Sequence, residues 1–383
     1  MEPSYFLKKR LFSPGPTPIP MQSQFAAVDN NPYHRSDTFN SIIINCLELL
    51  KIFYGTTKLP VMLCSSGTGA MEAALVNLTE PGAKVLVVSG GKFGERWEKI
   101  AKAYACDTRV IKVPWGKAIQ ASELESHLKK ETKWDAVFLQ AVETSTGVYF
   151  PIKELAKSIR EHSDALIVVD ALSSILSHEM NMDAWGLDCV IAASQKGFGA
   201  GTGLSFVACS QRAQQRLSSR PKFYFNLAQE FALQSSGRTA WTPATQTILT
   251  LQASLKALSA TGREGLYRFH KDLCEAVRES VRAMGLQPWV REDYAHSVTS
   301  IEIPPSLDGE KLKSYIQKQY AMTIAGGQDE LKGKILRLGH MGFVDPFDIL
   351  SALGALELAL RASGFSEAPG KGVSAFLQKF PVS

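Results

Sequence analysis

Residues 165–197, ALIVVDALSSILSHEMNMDAWGLDCVIAASQKG, contain the two segments that decide the fold. We predict a strand over each apolar run: Ala165–Asp170, which ends in Asp170, and Cys189–Ala193, which ends three residues before Lys196. Short, nearly continuous apolar runs of this kind are typical of strands that helices cover on both faces of a parallel sheet. We therefore predict an α/β fold in which Asp170 and Lys196 lie at the carboxyl edge of one sheet, where ligands bind in such folds.

The same pattern recurs outside this stretch, with amphipathic helical segments between the runs. Three more strands are predicted, at Lys84–Ser89, Ala136–Gln140 and Leu204–Ala208. A helix is predicted over Ala70–Leu78, because Ser66-Gly67-Thr68-Gly69 precedes it and Pro81-Gly82 follows it. The central part of the chain therefore alternates strands with helices, as a doubly wound sheet does.

The pattern of predicted helices and strands changes near residue 257. Two long helical patterns, Gly265–Met284 and Phe347–Arg361, enclose predicted strands at Ser297–Ile303 and Lys334–Leu338. The proline-rich stretch at residues 12–18 cannot be helical and predicts an extended arm. We therefore predict an N-terminal arm over residues 1–20, a large domain over residues 21–257 and a smaller α+β domain over residues 258–383.

Composition and charge exclude several classes of function. The 383 residues are 45% apolar and 21% charged, as in an ordinary soluble protein, and the net charge is only +5. No dense Lys/Arg block predicts a nucleic-acid surface, and no apolar run predicts a membrane span or a signal peptide. We therefore expect no nucleic-acid partner, no membrane and a cytoplasmic location.

The cysteines and histidines do not form a recognisable metal or redox motif. The six cysteines are never spaced as Cys-x-x-Cys, and most lie in apolar stretches, which predicts buried, reduced thiols. Cys274 lies in a helical pattern, not on a mobile loop. The seven histidines are scattered, so no metal site is predicted.

Asp170 and Lys196 carry complementary chemistry. A carboxylate at a strand end often caps the next segment, and a lone loop lysine is usually solvated. Here, however, consecutive strands bring an acid and an amine to one edge. The helix start at residues 66–69 adds backbone N–H groups, a hydroxyl and the positive end of a helix dipole, which together suit an anion.

An anion cradle, a carboxylate and an amine in this order describe a pyridoxal phosphate site. The cradle suits the phosphate, the carboxylate suits the ring nitrogen, and the amine suits the aldehyde. A Walker loop is missing from the sequence, and so is the Gly-x-Gly-x-x-Gly fingerprint of dinucleotide-binding proteins.

Six segments, kept in order, resemble class V aminotransferases: Ser66–Leu75, Glu143–Val148, Val169–Leu172, Gly186–Asp188, Ser194–Gly197 and Leu336–Gly342. The chain is most similar to the alanine–glyoxylate and serine–glyoxylate (serine–pyruvate) branch. The resemblance implies the pyridoxal-phosphate-dependent transferase fold of type I, with a mainly parallel seven-stranded sheet. It also implies a homodimer with shared active sites.

The resemblance also implies roles for individual residues. Lys196 would bind the cofactor aldehyde as a Schiff base and then move protons, Asp170 would pair with the ring nitrogen, and Arg337 would bind the substrate carboxylate. Thr242 would reach the phosphate from the other subunit, whereas Thr239 stands where some relatives carry a phosphate-binding tyrosine. The other implied cofactor contacts are Ser66, Gly67, Thr68, Gly69 and Gln195 at the phosphate, and Phe93, Thr144 and Leu172 around the ring.

The favoured function is amino transfer from a small amino acid, serine or alanine, to a 2-oxo acid such as glyoxylate or pyruvate. Other interpretations stay open. A desulfurase or lyase of the same fold is one, although Cys274 is poorly placed for a desulfurase. A non-catalytic partner subunit of a redox complex is another, and a nicotinamide dehydrogenase is the least favoured.

Overall fold

The computed structural model describes residues 7–28, 32–131, 133–365 and 370–381. Part of the predicted N-terminal arm, residues 1–6, lies outside the described residues. So do residues 366–369, 382 and 383 of the predicted C-terminal domain. The strands are β1 Arg10–Phe12, β2 Val61–Leu63, β3 Lys84–Ser89, β4 Asp107–Lys112, β5 Ala136–Gln140, β6 Val142–Glu143, β7 Val148–Tyr149, β8 Leu166–Asp170, β9 Cys189–Ala193, β10 Ser205–Cys209, β11 Gln287–Pro288, β12 Val298–Glu302, β13 Met322–Gly326 and β14 Ile335–Gly339. The helices are α1 Met21–Ala26, α2 Asp37–Tyr54, α3 Gly67–Leu78, α4 Lys92–Ala103, α5 Ala121–Leu128, α6 Ile152–His162, α7 Gln211–Gln215, α8 Leu227–Gln234, α9 Thr245–Thr261, α10 Arg263–Ala283, α11 Gly309–Tyr320, α12 Pro346–Ala362 and α13 Lys371–Lys379.

A seven-stranded, mainly parallel sheet forms the centre of the molecule, as predicted. Its strand order is β2-β10-β9-β8-β5-β3-β4, and every neighbouring pair from β9 to β4 is parallel. Only β10 runs against its two neighbours. Every residue of β5, β8 and β9 is buried, which explains why these strands read as continuous apolar runs.

Helices cover both faces of this sheet. One face packs against α3 and α4 through a cluster that includes Met71, Leu75 and Trp97, and the other packs against α2 and α6. The alternation along β8 divides its side chains between the two clusters, so Val168 faces α3 and Val169 faces the opposite layer. The side chain of Asp170 therefore emerges on the α3 side, where the site is built.

A second sheet lies in the C-terminal part of the chain, in the order β1-β13-β14-β12-β11. Its core packs against α10, α11 and α12. The N-terminal arm contributes β1, which pairs in parallel with β13 and so joins the first described residues to the last part of the chain. The predicted domain boundary after residue 257 falls inside α9, and this boundary stays a prediction.

The structure reproduces the predicted elements closely. The bounds of β3, β5 and β9 match the prediction, and β8, β10, β12 and β14 differ at most by one residue at each end. The helix predicted from Ala70 begins three residues earlier, at Gly67, so its first turn consists of Gly67, Thr68 and Gly69. No helix within the described ranges is long and apolar enough to cross a membrane.

Candidate active site

Lys196 lies just beyond the end of β9 and is buried, with 9% of its surface exposed. Its Nζ donates a 2.7 Å hydrogen bond to the carbonyl oxygen of Pro14 in the N-terminal arm. Burial lowers the pKa of Lys196 to about 8; the nearby Asp170 opposes this shift, and the positive charges of Arg337 and Arg96 add to it. A lysine with this pKa is partly neutral near pH 8 and is therefore a competent nucleophile.

Asp170 ends β8 on the neighbouring strand and is almost completely buried. Its Oδ1 accepts a 2.8 Å hydrogen bond from the backbone N–H of Leu172, so the carboxylate does cap the following turn. Burial raises the pKa of Asp170 to about 6, against the N–H bond and the charge of Lys196. The capping role uses one oxygen only, and the second is left for a ligand.

The start of α3 forms a close-packed cradle beside Asp170. The side chain of Leu172 lies directly against Gly67, where even a Cβ would overlap with it. The hydroxyl of Thr68 accepts a 2.9 Å hydrogen bond from Arg96, whereas Ser66 is exposed to solvent. In the described part of the chain, the buried Oε1 atom of Gln195 has no hydrogen-bond partner. Among the described residues, the backbone N–H groups of Gly67 and Thr68 have no acceptor and are available to an anion, whereas that of Gly69 donates a 2.9 Å bond to the carbonyl of Ser66.

Phe93 lies in the first turn of α4, and its ring faces the amine of Lys196. The centre of its ring is 6.0 Å from Nζ of Lys196 and 4.7 Å from the guanidinium carbon of Arg96. The buried carboxylate of Glu143 accepts 3.0 Å hydrogen bonds from the N–H groups of Phe93 and Gly94, which fixes the start of α4. The backbone that carries Phe93 is therefore fixed by a carboxylate that the sequence analysis did not single out.

Arg337 connects the two sheets at the site. It lies on β14 and is buried; its Nε donates a 2.9 Å bond to the carbonyl of Gly326 on β13. Its Nη1 donates a 2.8 Å bond to the carbonyl of Thr144 in the turn after β6. Burial lowers the pKa of Arg337 to about 10, and the charge of Glu143 opposes this shift. Among the described residues no hydrogen bond uses its second terminal nitrogen, so one prong of the fork is free for a ligand.

Two further predicted site residues, Thr144 and Thr242, differ in their contacts with the rest of the site. The hydroxyl of Thr144 is 2.7 Å from that of Ser173, close behind the capped turn of Asp170. Thr242 is exposed, and its contact with the body of the chain is a weak 3.9 Å bond from Cys64 Sγ to its carbonyl oxygen. The described residues show no contact between the Thr242 side chain and the rest of the site. A contribution to a site within the same subunit is therefore not supported.

Three residues of this site were missed by sequence reasoning: Pro14, Arg96 and Glu143. The carbonyl of Pro14 approaches Lys196 only because the arm folds back across the sheet edge. Arg96 is separated from Thr68 by a whole helix and strand. Glu143 precedes Thr144 directly, and its position in an otherwise apolar and small-residue stretch was a usable signal.

The arrangement can bind a molecule that has an anionic group, a ring nitrogen and an aldehyde. The anionic group suits the N–H groups of Gly67 and Thr68 at the start of α3, the ring nitrogen suits the second oxygen of Asp170, and the aldehyde suits the amine of Lys196. Arg337 leaves a further positive fork for a carboxylate. Within the described ranges, no group of three or more His, Cys, Asp or Glu side chains is placed to hold a metal ion.

Comparisons with known proteins agree with this chemistry. The model of the family described as aminotransferase class V matches residues 20–337. A serine–glyoxylate aminotransferase of Methylorubrum extorquens is 31% identical, over 98% of each chain. The small subunit of a soluble hydrogenase of Synechococcus is 35% identical, over 96% of this chain and 97% of that protein.

The fold is also shared with solved structures. The crystal structure of ureidoglycine–glyoxylate aminotransferase from Bacillus subtilis superposes with a TM-score of 0.92 and 26% identity, over 99% of this chain and all of that chain. The similarity therefore includes both sheets and the N-terminal arm that approaches Lys196.

Proposed function

This chain belongs to the class V aminotransferase family, whose cofactor is pyridoxal phosphate, and we propose that it transfers the amino group of a small amino acid to a 2-oxo acid. The proposed donor is serine or alanine, and the proposed acceptor is glyoxylate or pyruvate. The names of the serine–glyoxylate and ureidoglycine–glyoxylate relatives support glyoxylate as the acceptor.

One observation carries the proposal: a buried amine of lowered pKa and a buried carboxylate lie at the ends of adjacent strands, with a half-free arginine fork beside them. The buried Oε1 of Gln195, which has no partner among the described residues, agrees with a ligand that binds here. The donor set thus fits pyridoxal phosphate.

We assign the cofactor roles as follows. Lys196 binds the aldehyde, and Asp170 binds the ring nitrogen through its unused oxygen. Phe93, Thr144 and Leu172 surround the ring, and Ser66, Gly67, Thr68, Gly69 and Gln195 hold the phosphate. When bound, the cofactor supplies an aldehyde that accepts the amino group and a ring that takes up the electrons released at the substrate Cα.

The protein side of the reaction follows from the charges. An ionised Asp170 favours protonation of the ring nitrogen beside it, which increases the electron demand of the ring. When substrate displaces Lys196, its Nζ becomes a free amine next to Cα and can carry the proton away from Cα. Arg337 orients the substrate by its carboxylate, to which the free terminal nitrogen of the guanidinium donates a charge-assisted hydrogen bond.

The proposal includes a homodimer with shared active sites in the cytoplasm. Thr242 is exposed in the single chain and follows Trp241, whose ring packs against the exposed Phe223, so this surface is available to a second subunit. The six cysteines are all free, which supports a reducing compartment. Mixing inactive Lys196→Ala subunits with cofactor-poor Thr242→Ala subunits should restore activity, because one mixed site then holds both native groups. No restoration in verified mixed dimers would contradict the shared site.

A panel of donors and acceptors tests the proposed function. Purified protein with pyridoxal phosphate should convert serine or alanine together with glyoxylate or pyruvate, and the Lys196→Ala protein should not. The absorbance change of each half-reaction identifies the donor and the acceptor separately. Loss of an amino acid without amino transfer to any 2-oxo acid would instead indicate a lyase.

The name of the Synechococcus relative supports a second candidate, a subunit of a redox complex. The two functions differ in a simple measurement. A non-catalytic subunit has no use for an amine whose pKa is lowered by burial, so Lys196→Ala should leave complex assembly unchanged. If the purified protein fails every half-reaction but copurifies with a redox enzyme, the second candidate is the correct one.

A further inference from the structure

Arg96 lies at the junction of the two helices that form the site. It is the fifth residue of α4, three positions after Phe93, so the two side chains share one face of the helix. The guanidinium carbon lies 4.7 Å from the centre of the Phe93 ring. From there the side chain reaches across to α3, where Nη1 donates a 2.9 Å hydrogen bond to Oγ1 of Thr68.

The charge of Arg96 is not neutralised by the protein. Across the described part of the chain, no carboxylate lies within ion-pair distance of it, and its guanidinium contacts the Thr68 hydroxyl and the Phe93 ring. Its positive charge reaches both catalytic groups, because it lowers the pKa of Lys196 and also that of Asp170. A partly buried guanidinium that uses so few of its five N–H donors is suited to an anionic ligand.

The direction of the Thr68 bond indicates where that anion lies. Because Arg96 is a donor only, Thr68 must accept this bond, and its own O–H proton stays available to an acceptor on the other side. Thr68 lies in the first turn of α3, where the backbone N–H groups of Gly67 and Thr68 are also available to an anion. Arg96 thus orients a hydroxyl that the proposed function already assigns to the phosphate.

The charge balance of the cradle also indicates that Arg96 faces an anion. A phosphate monoester carries a charge of about −1.5 to −2 near pH 7. The residues assigned to the phosphate are all neutral: Ser66, Gly67, Thr68, Gly69 and Gln195, together with Thr242 from the other subunit. The helix dipole supplies only about half a positive charge. Without Arg96, the cradle would hold most of this negative charge uncompensated.

We propose that Arg96 is a phosphate-binding residue that compensates the charge of the cofactor phosphate and aligns Thr68 toward it, while its stacking on Phe93 couples the phosphate cradle to the aromatic ring. This proposal rests on the proposed function, since it concerns the same cofactor. It adds a cation from α4 to a cradle that otherwise comes from α3 and the end of β9.

The test compares two cofactor forms that differ only in the phosphate. Dissociation constants of pyridoxal phosphate and of pyridoxal are measured on cofactor-free protein for the wild type, Arg96→Gln and Arg96→Lys. We expect Arg96→Gln to weaken pyridoxal phosphate by roughly ten- to a hundred-fold and to leave pyridoxal unchanged, as for the loss of one charge-assisted hydrogen bond. Arg96→Lys, which keeps the charge without the fork, should lie between the two.

Lys99 offers a matched control on the same helix. Its side chain is largely exposed, and its Nζ lies 3.9 Å from Oε2 of Glu95. Lys99→Gln therefore removes one positive charge from α4 without changing a residue of the site. This variant should bind both cofactor forms as the wild type does. The comparison separates a local contact from a general effect of net charge.

Each outcome decides for or against the proposal. Equal weakening of pyridoxal phosphate and pyridoxal in Arg96→Gln would overturn it and would assign Arg96 to positioning Phe93 alone. An unchanged cofactor affinity with weaker amino-acid binding would also overturn it, because Arg96 would then bind the substrate carboxylate. Failure of the wild type to bind either cofactor form would instead reject the proposed function.

Discussion

The substitution Arg337→Lys tests how the small sheet binds substrate. Arg337 donates hydrogen bonds to two backbone carbonyls, that of Gly326 on β13 and that of Thr144 in the turn after β6. Lysine carries one nitrogen at the end of a flexible stem, so it cannot serve both carbonyls and a ligand together. The variant therefore keeps the positive charge of Arg337 and loses the planar arrangement of its N–H donors.

The structure allows the size of the effect to be worked out for substrate and for stability. The free terminal nitrogen is one prong of the carboxylate clamp, and loss of a charge-assisted bond of this kind costs about 1.5–3 kcal/mol, or roughly ten- to a hundred-fold in affinity. At least one of the two buried carbonyls is left without its partner, which should lower the free energy of unfolding by about 1–3 kcal/mol.

The assay is the first half-reaction under single-turnover conditions, with alanine or serine compared with a simple amine that lacks a carboxylate. Arg337→Lys should weaken the amino acids strongly and leave the amine almost unaffected, and it should retain the cofactor absorbance band. Arg282→Lys, an exposed arginine paired with Glu279 on α10, is the control and should change neither substrate. Equal losses for the amine and the amino acids would refute the role of Arg337 as the carboxylate clamp.

Three further substitutions or titrations address the other groups of the site. Asp170→Asn can still accept the N–H of Leu172, so the fold should persist, but Cα deprotonation should slow by about 100-fold or more because a neutral amide no longer favours the protonated ring; a near-normal rate in stopped-flow measurements would leave Asp170 as a cap only. Because burial lowers the pKa of Lys196 to about 8, the rate at which cofactor-free protein captures pyridoxal phosphate should rise with pH with a midpoint near that value, whereas a midpoint near the ordinary lysine value of about 10.4 would contradict the buried amine. Gly15 has φ +126° and lies against Lys196, so Gly15→Ala should both slow this capture and destabilise the protein by about 1–3 kcal/mol, and unchanged capture would show that the arm does not press on the lysine.

Strand prediction succeeded where burial on both faces determines the sequence. In β5, β8 and β9 every residue is buried, so apolar β-branched side chains fill whole segments and the limits of the strands are visible. The edge strands were harder to predict. β4 has the sequence DTRVIK, whose partly exposed positions tolerate charged residues, and β1 is too short to give a pattern.

The site was predictable where one strand end or one helix start defines it. Asp170 and Lys196 follow adjacent strands, and the cradle lies at one helix start, so topology alone brings them together. Pro14 and Arg96 could not be found in this way, because each meets the site through a contact between elements far apart in the chain. Nor could sequence spacing show that Arg337 binds the carbonyl of Thr144, a bond that depends on how the two sheets pack.

The identity of the residue that binds the cofactor tests the central claim most directly. Protein loaded with pyridoxal phosphate is reduced with borohydride, digested and mapped by mass spectrometry. The account predicts a single pyridoxyl group on Lys196, in the peptide that contains Ser194-Gln195-Lys196-Gly197. A pyridoxyl group on any other lysine, or none after loading, would contradict it.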